Sequence, residues 1–321
     1  MGTTVEIYLY AADSRQAGAL FDAAFEEIER VEATLSTYRP TSEISRINAR
    51  AGIEAVTTDP EVFELIESAL SYSRCTDGAF DITVGALREA WGFFRGAGRY
   101  PTDAELDRAR QDAGWRNVAL DSADRTIRFL KPGLELDLGA IGKGYALDRA
   151  AVVLRANGVD RALLGAGQSS YLALGAPPGE IGWEVKVTLP DDLHPGGTEQ
   201  QERVLSKVLL HDASLSTSGS SEKLFELEGR RYSHIIDPRT GRPATGMIQV
   251  TVVAPNAAES DALSTSAFVL GERRGANWLR ERPDVAALLV VGTLAQARFE
   301  TVNWSQPVAS TDDVTSADKR P

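Results

Sequence analysis

Cysteine is nearly absent: the 321-residue chain has one, Cys75. A lone cysteine closes no intramolecular disulfide, so the fold requires no oxidising compartment, although it forbids none. Proline is sparse as well, at 14 residues, while hydrophobic residues make up 43% and charged residues 25%. That balance excludes a disordered or fibrous chain as the main state and describes an ordinary globular protein able to bury a large core. Positive charge is in short supply. The 34 Lys and Arg against 46 Asp and Glu give a formal charge of -12. An acidic surface repels the phosphate backbone that supplies most non-specific nucleic-acid affinity, so no nucleic-acid partner is expected. Long apolar runs are missing too: none approaches the ~18 residues that a membrane helix needs. The opening stretch Met1–Tyr10 lacks a basic flank followed by an unbroken apolar run, and reads as a strand rather than a secretory signal. The chain is therefore expected to be cytoplasmic, or the mature form of an exported protein.

What is there is a mixture of helices and strands without an internal repeat. Leu20, Phe21, Ala24, Ile28, Val31 and Leu35 recur at helical spacing, with Glu26, Glu27 and Arg30 opposite them. Asp59-Pro60 supplies a cap and a first-turn proline for a second helix carrying Phe63, Ile66 and Leu70. Thr102 with Glu105 predicts a capping box and a short third helix ending near Gly114. Strands are expected at 117–120, 125–130 and 134–138, then a helix over about 142–157 closed by Gly158. Further strands are expected at 161–166, 171–174, 183–189, 204–210, 249–254 and 285–291, with a helix over 257–270. A hairpin over 223–237 turns at Glu228-Gly229. The stretch 191–201 reads as a surface loop, and residues 310–321 as a polar, disordered tail. Hairpins outnumber strand-helix-strand units, which predicts an α+β fold with largely antiparallel sheets and packed helices.

Two nucleotide motifs are nearly present, and both fail. Gly142-Lys143 would end a phosphate loop, but its opening glycine would have to stand at Asp137 and its Ser/Thr at Gly144. Gly165-Ala166-Gly167 starts like a dinucleotide fingerprint, but Ser170 occupies the third glycine position and a strand follows instead of a helix. The physical part survives. A strand ending in Asp137, a glycine-rich turn and a helix start with Lys143 together favour an anion, the bland alternative being a turn used only for close packing. On the helix over 257–270, Asp261 and Thr265 lie four apart on one face amid apolar residues. A carboxylate and a hydroxyl so placed suit a hard cation such as Mg2+; alternatively Asp261 serves the helix dipole while Thr265 bonds back to the helix. His234, one of three histidines, ends a strand and is placed for a general base or for a structural hydrogen bond. The following 237–241 segment is good turn chemistry. Tyr38 could stack on an aromatic ring, and Phe80-Asp81 could cap the next element.

The order of these segments resembles the ApbE family of bacterial FAD:protein FMN transferases. The resemblance runs through Met1-Gly2-Thr3, Ser36-Thr37-Tyr38, residues 42–48 and 78–85, residues 135–148, residues 232–241, and Asp261-Ala262-Leu263-Ser264-Thr265. It implies one flavin-transferase domain over residues 1–309. It implies FAD as substrate, contacted by Met1, Tyr38, Ala79, Phe80, Asp81, Asp137 and Lys143, and Mg2+ held by the Ala140 carbonyl, Asp261 and Thr265. The implied reaction moves FMN from FAD to a Thr or Ser hydroxyl of an acceptor flavoprotein, with AMP leaving and His234 taking the hydroxyl proton. A Mg-dependent FAD pyrophosphatase giving FMN and AMP, and a non-catalytic FAD-binding protein, are the alternatives. One stretch departs from the pattern: Ala166-Gly167-Gln168-Ser169-Ser170 stands where family members often carry Ala-Gly-Gly-Asp, exchanging a charge for neutral hydrogen-bonding groups.

Overall fold

The structure, a computed structural model, describes residues 3–94, 96, 98–189, 203–220, 224–227, 230–292 and 296–309. The tail 310–321, the 191–201 loop, the Glu228-Gly229 turn and Met1 lie outside the described residues. The fold is α+β with antiparallel pairing throughout, as expected. The described residues fall into two compact units, each assembled from separate stretches of chain. Of the described residues, one comprises those within 29–142 and 224–244; the other comprises those within 3–28, 143–220 and 245–309.

The second unit is built on a seven-stranded sheet. Its strands, in spatial order, are Val5–Leu9, Ala162–Ala166, Ser170–Leu174, Ser214–Gly219, Met247–Ala254, Ala286–Val291 and Arg298–Val302. Alternation along these strands gives the sheet two different faces. One face carries Ala173, Leu215, Leu288 and Val290, which pack against Val185, Val187, Leu205, Val208 and Leu210 of the hairpin Trp183–Thr188/Val204–Leu210. The other face meets the helix Ala257–Leu270 through hydroxyls: Ser216 bonds Ser260 at 2.8 Å, and Ser218 bonds Ser264 at 2.9 Å. Sequence periodicity misses the strand Ser214–Gly219 because its helix-facing residues are serines. Those serines satisfy one another across the layers instead of supplying an apolar signal. The edge strand Arg298–Val302 and the helix Glu272–Arg280 are also additions to the sequence reading.

In the first unit, side-chain caps start the helices where the sequence places them. Asp59 accepts the Glu61 amide ahead of the helix Pro60–Cys75, and Thr102 and Glu105 close a complete capping box on Asp103–Gln111, which stops three residues short of the expected end at Gly114. The helices Glu43–Arg50 and Gly85–Ala90 were not foreseen. A three-stranded sheet pairs Val56–Thr57, Thr126–Phe129 and Val118–Asp121. Leu87, Trp91, Phe93, Leu106, Ala109 and Ile236 form a buried cluster, with Phe225 and Tyr232 packed on it.

The segment 134–138 is a correction, because it joins no sheet. Its backbone is satisfied by other means. Asn48 lends both ends of its amide to Leu136, accepting the N–H at 2.8 Å and donating to the carbonyl at 3.0 Å. The Asp137 amide donates to the Ile82 carbonyl at 2.7 Å, and the Gly85 amide donates to the Glu135 carbonyl. A side-chain amide and a loop thus do what a neighbouring strand would otherwise do.

Candidate functional site

The second unit holds a mutual arrangement of two helix starts. The helix Ala257–Leu270 is capped by Asn256, which accepts the Glu259 amide at 2.9 Å. Its next free amides, of Ala257 and Ala258, donate to the two oxygens of Asp148 at 2.8 Å each. Asp148 belongs to the helix Gly142–Ala156. In return Asp261, one turn into the first helix and 3% exposed, accepts the amide of Gly144 at the start of the second at 3.1 Å. Each helix places a carboxylate against the positive end of the other. Gly144 makes the approach possible, since a Cβ there would lie 2.0 Å from the Ala257 carbonyl oxygen. The Ser/Thr that a phosphate loop requires at this position would not fit.

Burial pushes the Asp148 carboxyl up to about 6, against the pull of the Ala257 and Ala258 amides, and the charges of Asp261 and Glu259 add to the rise. A buried carboxylate, Asp261, and a half-buried one, Asp148, that feel one another form a setting that a cation relieves. Thr265 stands one turn beyond Asp261 and shares a hydrogen bond with Ser218 at 3.1 Å. Among the described residues no group of three or more His, Cys, Asp and Glu side chains converges as a metal cage. A metal here would need backbone and ligand oxygens besides Asp261 and Thr265, which is how Mg2+ is usually held. Ala140 lies two residues ahead of the helix Gly142–Ala156.

In the first unit, Asp137 is 6% exposed, forms an ion pair with Arg88 and accepts the Gly139 amide at 2.8 Å. Arg88 also donates to the Tyr38 hydroxyl at 3.4 Å. Tyr38 is 46% exposed and stacks on Phe94, with ring centroids 4.9 Å apart and planes within 9°. An exposed tyrosine face, an arginine, a carboxylate and a glycine-rich turn are thus tied in one chain of contacts. Phe80 points into the core, edge-on to Tyr72. Asp81 accepts the Thr83 amide at 2.8 Å, the Thr83 hydroxyl at 2.7 Å and the Trp115 amide at 3.0 Å. Burial nevertheless holds its carboxyl above the usual range. His234 sits at the junction of two hairpins, Leu224–Leu227/Arg230–Ser233 and Ile236–Asp237/Arg242–Pro243, with its ring edge-on to Phe93 at 6.4 Å. The second hairpin is pinned by Trp91, whose indole donates to the Gly241 carbonyl at 2.7 Å. In its turn, Asp237 holds the Arg239 guanidinium at 2.8 Å on both oxygens.

A family model decides what this assembly is part of: the ApbE family matches residues 1–289. The chain belongs to the ApbE family. An FAD:protein FMN transferase of Treponema pallidum is 35% identical to it, covering 90% of this chain and 82% of that relative. One from Klebsiella pneumoniae is 32% identical, covering 90% and 86%. Among solved structures, the ApbE protein of Thermotoga maritima superposes with a TM-score of 0.82 at 31% identity, and the flavin transferase ApbE of Vibrio cholerae with 0.81 at 29%. Each comparison covers 94% of both chains.

Within this ApbE chain, Tyr38 and Asp137 come together through Arg88, and Asp261 meets the glycine-rich start of the Lys143 helix. Sequence reading missed Arg88, Asn48 and Asp148. Nothing local marks Arg88 or Asn48, because their partners are distant in the chain. Asp148 carries a faint signal, standing four residues after Gly144 as Asp261 stands four after Ala257.

Proposed function

We propose that this chain transfers the FMN half of FAD to a Thr or Ser hydroxyl of an acceptor flavoprotein and releases AMP. The observation that supports the chemistry, beside the name its relatives share, is the buried carboxylate of Asp261 against the glycine-rich start of the helix that carries Lys143. That helix start, with its dipole and Lys143, attracts the FAD pyrophosphate. Tyr38 offers an aromatic face to the flavin, while Met1, Ala79, Phe80, Asp81 and Asp137 belong to the segments that shape its binding, Phe80 and Asp81 by holding the backbone in place. Mg2+, when bound through the Ala140 carbonyl, Asp261 and Thr265, supplies charge neutralisation at the pyrophosphate.

The reaction asks the protein mainly for alignment. The acceptor oxygen forms a bond to the FMN phosphorus, and the bond from that phosphorus to the bridging oxygen breaks. AMP carries the bridging oxygen away, and the hydroxyl proton passes to His234.

Incubation with FAD, Mg2+ and a candidate acceptor should leave covalent flavin fluorescence on the acceptor. FMN and AMP formed equally fast without acceptor would instead make the chain a pyrophosphatase, and FAD retained without turnover would make it a binding protein. FAD should also bind more tightly than FMN or riboflavin, because only FAD offers both a flavin and a pyrophosphate. Equal affinities in a fluorescence titration would overturn the assignment of Tyr38 and Lys143 to one ligand.

A further inference from the structure

We propose that Asp148 is a positioning residue for the metal site, holding the helix Ala257–Leu270 in the orientation that presents Asp261. The inference rests on the reading of Asp261 and Thr265 as metal donors.

Three observations carry it. First, the helix already has an ordinary cap in Asn256. Asp148 is an additional clamp, reaching from another helix and using both carboxylate oxygens on successive amides. Second, the clamp is reciprocal and evenly spaced. Gly144 and Asp148 are four residues apart on one helix, and Ala257 and Asp261 are four apart on the other, so each helix presents an amide and a carboxylate on one face, a turn apart. Rotating either helix about its axis breaks both exchanges together, so the position of Asp261 is coupled to the bonds of Asp148. Third, both exchanges use amides that a helix start leaves without an intrahelical partner: Gly144 is the third residue of the helix that begins at Gly142, and Ala257 and Ala258 open the other.

The test is titration calorimetry of Mg2+ into FAD-saturated protein with no acceptor present, comparing wild type with Asp148→Ala, Asp148→Asn, Glu259→Gln and Asp261→Asn. Asp148→Ala should weaken Mg2+ binding about 10-fold or more, the range typical of residues that orient a metal ligand. Asp148→Asn keeps one acceptor and should lose less. Glu259→Gln removes a charge from the same helix turn without touching the clamp, and should change Mg2+ affinity little. FAD affinity in chelator should be the same for wild type and all the Asp148 variants. Wild-type Mg2+ affinity in Asp148→Ala, with that affinity lost in Asp261→Asn, would overturn the proposal alone. An equal loss in Glu259→Gln would also overturn it, since the effect would then be charge and not position. Unchanged binding in Asp261→Asn would bring down the metal reading and this proposal with it. If Asp148→Ala does not fold, Asp148→Asn decides, and wild-type Mg2+ affinity in that variant overturns the clamp.

Discussion

At the scale of single residues, the side chains here divide between those that hold backbone and those assigned to the proposed reaction. Asp81 and Asn48 hold backbone, through bonds that would be orphaned if either were truncated. His234, placed between two hairpins, belongs to the other kind in the proposed reaction. His234→Ala should leave FAD affinity nearly unchanged and slow transfer by roughly 10²-fold or more. An undiminished rate at neutral pH would make His234 a structural residue. Asp148 gives a pH signature to the metal-free protein. Burial pushes its folded carboxyl up to about 6, while an unfolded Asp has a value of about 3.9. The folded state therefore binds this proton more tightly. The resulting stability is fully present below the unfolded value and is lost as pH rises through about 6. In chelator, the urea midpoint of wild type should fall more steeply between pH 4 and 7, roughly the span of the two values, than that of Asp148→Asn. Parallel curves would show that Asp148 does not carry the slope.

At the scale of elements, the crossing of the helices Gly142–Ala156 and Ala257–Leu270 depends on the missing side chain at residue 144. Alanine is intrinsically the better helix residue by about 1 kcal/mol. A methyl group 2.0 Å from a backbone oxygen leaves no flexible neighbour to yield, so the helices would have to part. Gly144→Ala should therefore destabilise the protein by about 1–3 kcal/mol despite the gain in propensity, and weaken Mg2+ binding with it. Thermal melts and Mg2+ titration check both, and a variant that melts like wild type would mean that the crossing tolerates more space than its geometry shows. The helix Ala257–Leu270 was legible from its apolar content, though its Asn256 cap was not. Its seat was not, because serine hydroxyls rather than an apolar stripe join it to the strand Ser214–Gly219. The segment 134–138 failed for the opposite reason. It alternates like a strand, but its partners are the Asn48 side chain and the 82–85 loop, which no periodicity announces.

At the scale of the whole molecule, FAD and Mg2+ should act on stability by mass action. A ligand present at 100 times its dissociation constant adds about 2.7 kcal/mol to whatever unit it binds. FAD with Mg2+ should raise the melting temperature by several degrees, and chelator should remove part of the rise while FAD remains. No shift on adding either ligand would count against their binding to the folded protein. The sequence by itself determined the class of the fold, the caps of the helices beginning at Pro60 and Asp103, and the resemblance that names Asp261, Thr265, Asp137, Lys143 and His234. Those features are local: capping, periodicity and short motifs act over a few neighbouring residues. Only the tertiary structure decided that Arg88 joins Tyr38 to Asp137, that Asn48 replaces a strand, and that Asp148 and Asp261 exchange helix amides. Their partners lie from about 50 to 117 residues away in the chain, and hydrogen bonds of that span leave no local pattern to read.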